Sequence, residues 1–115
     1  MTNNQKHVEQ IAKQIEEGIT YDNAGMDAED YGCEGEDIIS GFDYLEDVYD
    51  IRYIIDSQGE FISARILVAF GGPNIWVDFE TKTVELYWWG DRATASFSDD
   101  AMDIEGALQE LWATR

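Results

Sequence analysis

The middle of the sequence alternates between apolar and polar residues in short stretches that are separated by very short connections. This alternation predicts strands with one buried face over 49–55, 61–70, 75–79, 83–89 and 92–97. The connections are turn sequences, namely Ser57-Gln58-Gly59, Gly71-Gly72-Pro73-Asn74, Glu80-Thr81-Lys82 and Gly90-Asp91. A parallel connection needs a crossover of about a dozen residues or more. The spacing therefore predicts an antiparallel meander sheet of four to five strands.

Helical patterns flank the predicted sheet. The N-terminal helical face consists of Val8, Ile11, Ala12, Ile15 and Ile19, and Gly18 is placed to end that helix. The C-terminal helical face consists of Ala101, Ile104, Leu108, Leu111 and Trp112. Ser98 is the predicted N-cap of the C-terminal helix, with Asp99 and Asp100 near the positive end of its dipole.

A third helix is predicted near 36–49, where Ile38, Phe42, Leu45 and Tyr49 recur at helical spacing. A short strand over 37–44 is the alternative, because Gly41 inside a helix costs about 1 kcal/mol relative to Ala. The prediction for 1–115 is therefore a single α+β domain in which the helices cover one face of the sheet.

Strand parity gives expectations for individual side chains. On the second strand, one side should carry Ile62, Ala64, Ile66, Val68 and Phe70. Trp88 shares the parity of Val84 and Leu86 and is predicted to lie in the core. Tyr87 and Trp89 fall on the other face, which predicts either a surface packed against a helix or a dimer mate, or a binding patch.

The charge of the chain is very unbalanced. Asp and Glu total 25, Lys and Arg total 7, and the net charge is −18. Such a chain is repelled by nucleic-acid phosphates and by anionic membranes, so direct binding to either is not expected. Its 15 aromatic residues also exclude a disordered acidic tail, because disorder requires few aromatics.

The acidic residues are also segregated along the chain. No Lys or Arg occurs between Lys13 and Arg52, a stretch that holds 13 acidic residues. A second base-free stretch follows Arg92 and contains Asp99, Asp100, Asp103, Glu105 and Glu110. Since solubility requires a net charge of only about 2–8 in magnitude, this excess indicates a function for the charge.

We predict that the first stretch binds a basic partner. On a helix near 36–49, the acids Asp43, Glu46, Asp47 and Asp50 would form a stripe with Cβ spacings of about 5–6 Å. That spacing is comparable to the separation of successive nucleic-acid phosphates, about 6–7 Å. The predicted partner-binding residues are these four together with the loop acids Asp27, Glu29, Asp30, Glu34, Glu36 and Asp37.

The sequence contains no pattern typical of a catalytic or cofactor site. His7 and Cys33 are the only residues of their types, too few for a zinc site. The stretch 71–74 lacks the Lys-Ser/Thr of a phosphate-binding loop, and 22–36 does not fit an EF-hand, although an irregular calcium site there is an alternative. We therefore expect a non-enzymatic protein without a cofactor.

In size, in charge and in its base-free run over 14–51, the chain resembles the small acidic anti-defence proteins of phages and mobile elements. This group includes anti-restriction proteins and anti-CRISPRs, several of which mimic DNA. The stretches Gly71-Gly72-Pro73-Asn74-Ile75-Trp76 and Glu85-Leu86-Tyr87-Trp88-Trp89 are also similar to sequences from such elements. The resemblance implies an inhibitor that occupies the nucleic-acid groove of a host defence complex in the bacterial cytoplasm.

Three alternatives remain open from the sequence. An immunity protein or antitoxin that neutralises a basic nuclease toxin would use the same charge. An enzyme or ligand-binding domain would use the sheet aromatics instead. Halophilic adaptation would produce the net charge without any acidic binding site. The polar N-terminus and the lack of a long apolar run predict neither a signal peptide nor a membrane span, and a homodimer is compatible with all of these readings.

Overall fold

A computed structural model describes residues 3–19 and 39–114 of the chain. In chain order the elements are the helices and strands α1 (Asn3–Glu17), α2 (Gly41–Leu45), β1 (Asp50–Ile55), β2 (Phe61–Ala69), β3 (Asn74–Asp78), β4 (Thr83–Trp88), β5 (Asp91–Ser96) and α3 (Ile104–Ala113). The predicted α+β fold with an N-terminal helix, a C-terminal helix and a five-stranded meander is confirmed.

The five strands form one antiparallel sheet in the order β1-β2-β3-β4-β5. The register places Ile66 opposite Val77, and Val77 opposite Val84, so these inward side chains lie side by side on one face. The opposite face carries a second row of neighbours, in which Leu67 pairs with Trp76, and Trp76 with Glu85. Because every connection is a hairpin, β1, β3 and β5 begin at the same end of the sheet at which β2 and β4 finish.

The helices pack on the face that carries Ile66, Val77 and Val84. α1 lies against β4 and β5, and α3 lies against β2 and α2. The buried core joins Val8 and Ile15 of α1 and Leu108 of α3 to the inward side chains of the sheet. No helix within residues 3–19 and 39–114 is long and apolar enough to cross a membrane.

The N-terminal helix follows its sequence pattern. All five residues of the predicted apolar face are buried, namely Val8, Ile11, Ala12, Ile15 and Ile19. The helix ends where Gly18 adopts a φ of 88° and its N–H donates to the Gln14 carbonyl at 2.8 Å. A left-handed glycine of this kind is a common way to terminate a helix.

The start of the C-terminal helix differs from the prediction. Ser98 is not its N-cap; its N–H and hydroxyl both donate to Oε1 of Glu16. The helix begins at Ile104, and the Asp100 carboxylate accepts the N–H groups of Ile104 and Glu105 at 2.9 Å each. Asp100, four residues before Ile104, therefore takes the capping role predicted for Ser98. Ala101, which was predicted on the apolar face of this helix, is exposed and lies outside the helix.

The predicted apolar side of the second strand is also partly wrong. Ala64 and Ile66 are buried, whereas Ile62 and Phe70 are exposed, and Ser63 and Leu67 are buried in their place. The register shifts between Leu67 and Ala69 where β2 pairs with β3, and between Ile54 and Ile55 where β1 pairs with β2. Such irregularities break the two-residue alternation on which the prediction depended.

Candidate functional site

The first feature of interest is the contact between α2 and α3. Gly41 opens α2, capped by the Ser40 hydroxyl, which accepts the Asp43 N–H at 3.1 Å. A Cβ on Gly41 would lie 2.7 Å from the Asp103 carbonyl oxygen and 2.8 Å from Ile104 Cα. The two helices therefore touch backbone to backbone, and only glycine fits at this point.

This contact brings the two base-free stretches of the sequence together. Residues 39–51 and 93–114 contain no Lys or Arg, and α2 and α3 come from one stretch each. We use the name α2–α3 acidic surface for the exposed carboxylates of these helices and their flanking turns, namely Asp43, Glu46, Asp47, Asp99, Asp103 and Glu110. The sequence showed each half of this surface but not that the halves adjoin.

A shallow groove runs between the same two helices. Its volume is about 210 Å³, and its lining includes Phe42, Met102, Asp103 and Glu110. Phe42 is 44% exposed although it belongs to the predicted apolar stripe. The acidic surface therefore contains an accessible aromatic ring as well as carboxylates.

The predicted straight stripe of acids is not formed. The helix that should carry it ends at Leu45, so Glu46 is its C-cap and Asp47 lies in the following turn. Asp50 is the first residue of β1, where its carboxylate accepts the Ile51 N–H at 2.9 Å and pairs with Arg52. Asp43, Glu46 and Asp47 remain on the acidic surface, and Asp50 belongs to the sheet.

The predicted loop acids fall elsewhere. Asp27, Glu29, Asp30, Glu34, Glu36 and Asp37 lie outside the described residues, as does the alternative calcium site over 22–36. Within 3–19 and 39–114, no group of three or more His, Cys, Asp or Glu side chains is arranged to hold a metal ion.

The sheet face opposite the helices is electrically balanced. In the described part of the chain its strand residues include three arginines and three acids, namely Arg52, Arg65, Arg92, Asp50, Asp78 and Glu85. Arg52 Nε lies 3.1 Å from the Asp50 carboxylate, and Arg65 lies 3.9 and 3.7 Å from those of Asp78 and Glu85. Among residues 3–19 and 39–114, the acidic excess therefore lies outside the strand residues of this face.

Trp76 organises two of these arginines. Arg52 and Arg65 are directly opposed across β1 and β2, a pairing of like charges that destabilises a sheet. Their guanidinium carbons lie 5.4 and 4.8 Å from the Trp76 ring centroid, which attracts both cations. Nε of Arg65 is buried and has no hydrogen-bond partner among the described residues. Nε lies 3.9 Å from Asp78 and Nη2 lies 3.7 Å from Glu85, so both ion pairs are longer than a hydrogen bond.

Tyr87 extends the same network. Its hydroxyl donates to Oε2 of Glu85 at 2.6 Å, and Arg92 lies over its ring at 5.7 Å from the centroid. The hydrogen bond to the Glu85 carboxylate, together with burial and the negative charge of that carboxylate, raises the pKa of Tyr87 above its ordinary value. Tyr87 therefore acts as a neutral hydrogen-bond donor on this face.

The start of β1 and the loop after β2 form one half of an exposed aromatic cluster. Tyr49 and Phe70 lie at the sheet end that also holds the β4–β5 turn, and their ring centroids are 6.5 Å apart. They are 67% and 69% exposed. Large apolar side chains in such clusters are typical of interaction surfaces.

The β4–β5 turn forms the other half. Trp88 is 38% exposed, and the prediction that it lies in the core is wrong: as the last residue of β4 it extends beyond the core and contacts Gly72. Trp89 is 85% exposed and packs edge-on against Trp88 at a centroid distance of 5.9 Å. We name Tyr49, Phe70, Trp88 and Trp89 the aromatic end.

Sequence reasoning predicted Tyr87 and Trp89 as an exposed aromatic pair and Tyr49 as an aromatic among the acids. It missed the pairing of Tyr49 with Phe70, the pairing of Trp89 with Trp88 and the arginine face. Strand parity could have found the arginines, since Arg52 and Arg65 occupy outward positions on neighbouring strands. Tyr49 and Phe70 could not be paired without the register of β1 on β2, in which the Tyr49 N–H donates to the Leu67 carbonyl at 2.8 Å.

A comparison of the chain with known protein families, with curated proteins and with solved structures finds no match.

Proposed function

We propose that this protein is a non-enzymatic inhibitor that acts in the cytoplasm of a bacterial host. Its α2–α3 acidic surface would occupy the basic nucleic-acid groove of a defence complex, such as a CRISPR effector or a restriction nuclease. The observation that supports this proposal is the packing of α2 on α3. That packing places parts of two acidic, base-free stretches of chain side by side.

The distribution of charge gives the proposal its physical basis. The described arginines are held on the balanced sheet face, so none of them neutralises the α2–α3 acidic surface. Lys82 shares the lining of a small cavity with Asp99, one member of that surface. Carboxylates grouped within a Debye length of about 8 Å reinforce one another's field. Such a field steers a basic partner into contact and makes association fast and strongly dependent on salt.

A pair of charge-matched variants tests the proposal. Asp43→Lys combined with Asp47→Lys changes the net charge from −18 to −14, since each of the two replacements adds two units. The control, Glu60→Lys combined with Glu80→Lys, makes the same change at the loops of the opposite sheet end. All four side chains are exposed, so both variants should fold.

The assay is capture from a bacterial lysate at low and at high salt, followed by purification of the recovered protein and a nucleic-acid displacement assay. We expect the wild type and the control to displace DNA or RNA from the target at low salt, and the α2 variant to lose most of this activity. If both variants lost activity equally, only net charge would matter. If neither lost any, the surface would be merely solvated.

The same assay separates the proposal from the immunity-protein alternative. A defence complex as target supports the inhibitor. A single nuclease toxin, together with rescue of cells that express it, supports an immunity protein or antitoxin instead.

A further inference from the structure

Trp89 occupies a position that is unfavourable for tryptophan. It forms with Gly90 the two-residue turn between β4 and β5, in which both residues have positive φ, 50° and 86°. This is a type I′ turn, whose first position strongly favours Asn, Asp or Gly. A bulky residue with positive φ is a genuine outlier, and outliers of this kind concentrate at functional sites.

Burial does not offset that strain. Trp89 is the most exposed of the large apolar side chains described, and its edge-on contact with Trp88 is its one described ring contact. The turn therefore exposes an indole to solvent at a conformational cost, although Asn, Asp or Gly would adopt this backbone conformation at a lower cost. This combination indicates that the ring has a role outside the folded chain.

The aromatic end also contains two shallow cavities, the shape expected of a binding surface. A shallow cavity of about 430 Å³ has Tyr49, Phe70 and Trp76 in its lining, and a second of about 170 Å³ has Trp88 and Trp89. Both cavities include Asn74 in their linings, so they adjoin at the start of β3.

The surrounding charge selects the chemistry of the partner. Asp47 precedes Tyr49 by two residues, a chain distance of at most about 7 Å, so the aromatic end continues into the α2–α3 acidic surface. Asp91 follows the strained turn directly. Aromatic faces beside carboxylates attract cations, and the net charge of −18 attracts them over a longer range.

Among the described residues, the cations that lie over aromatic rings of the sheet are arginines. Arg52 and Arg65 lie over Trp76, and Arg92 lies over Tyr87. No described cation lies over Tyr49, Phe70, Trp88 or Trp89, so these rings are available to a partner. A planar guanidinium stacks on an aromatic face, whereas the compact ammonium of lysine is more strongly hydrated.

We propose that the aromatic end is an arginine-binding site, in which Trp89 and Phe70 stack on guanidinium groups of the basic partner while the neighbouring carboxylates pair with their charge. This inference rests on the proposed function and deepens it. It distinguishes an arginine-rich partner from a lysine-rich one and assigns an anchoring role to the strained turn.

Octa-arginine and octa-lysine peptides are suitable probes, since they carry equal charge and differ in the stacking group. Binding of each to the full chain is measured at low salt by calorimetry and by tryptophan fluorescence. The variants are Trp89→Asn, which the turn geometry accommodates, and the Asp43→Lys, Asp47→Lys pair described above.

We expect octa-arginine to bind more tightly than octa-lysine. Trp89→Asn should weaken octa-arginine roughly two- to five-fold, the effect of losing one exposed cation–π contact, and leave octa-lysine unchanged. The double lysine variant should weaken both peptides equally.

Equal binding of the two peptides, or an unchanged preference in Trp89→Asn, would overturn the arginine site while leaving the acidic surface in place. If the preference depended on Trp89 while the double lysine variant bound both peptides as tightly as the wild type, the arginine site would be supported and the proposed function would be contradicted. Absence of binding by either peptide would overturn both.

Discussion

The turn between β4 and β5 allows a direct test of whether Trp89 is held under strain. We predict that Trp89→Asn stabilises the protein. A non-glycine residue in the left-handed region costs about 1–2 kcal/mol, and asparagine tolerates that region better because its short side chain bonds locally. The substitution should therefore recover about 1 kcal/mol.

One loss opposes this gain. The edge-on contact with Trp88 has a centroid distance of 5.9 Å, within the favourable range for aromatic pairs. Because Trp89 is 85% exposed, we assign this contact about 0.5 kcal/mol, the lower end of the range. The net expectation is a gain of about 0.5 kcal/mol in the free energy of unfolding, or about 2–4 °C in Tm.

The assay is urea denaturation of wild type and variant, compared at a common slope, with thermal unfolding as a second measurement. Gly90→Ala is the matched control in the same turn. Gly90 has a φ of 86°, and nothing lies within 4 Å of an added Cβ, so this change should destabilise by about 1 kcal/mol through backbone conformation alone. If Trp89→Asn destabilised the protein instead, the indole would be a packing residue and the strain argument would be refuted.

Three further predictions concern packing, capping and titration. Gly41→Ala forces a methyl group into the backbone at the start of α3 and should lower the free energy of unfolding by about 1–3 kcal/mol; an unchanged urea midpoint would contradict the close contact of α2 and α3. Asp100→Ala should cost about 1 kcal/mol through loss of the α3 cap, whereas the exposed control Asp99→Ala should change the midpoint little. Tyr87 should titrate above its ordinary pKa in ultraviolet absorbance, and Glu85→Gln should lower that pKa. Since its folded pKa is raised, the stability from this phenol is fully present below its unfolded pKa and is lost as pH rises through the folded value; an unchanged pKa in the Gln variant would show that the hydrogen bond is not its cause.

Local sequence patterns were sufficient for the elements of this fold. The alternating stretches and short turns of 49–97 admit only hairpins, because a chain cannot reach a parallel neighbour through four residues. The apolar face of α1 and the end of this helix at Gly18 were also predictable from the sequence, since each depends on residues within one or two turns of helix.

Errors arose where a residue's neighbours come from another part of the chain. Alternation placed Trp88 in the core, but the core does not extend to the end of β4. Helical periodicity predicted a helix near 36–49 with Asp50 on its acidic stripe, but α2 ends at Leu45 and the chain then enters the sheet. At Asp50, β pairing with Leu67 outweighs the local helical preference.

The candidate surfaces divide in the same way. Net charge follows from composition, and its segregation follows from the order of residues along the chain; together they predict a basic partner for this surface. Only the tertiary structure joins the two acidic stretches through the contact at Gly41, confines the described arginines to one sheet face and gathers Tyr49 and Phe70 with the Trp88–Trp89 turn. The physical reason is that charge depends only on which residues are present, whereas a binding surface depends on distances between residues far apart in sequence, and those distances are set by strand register and helix packing.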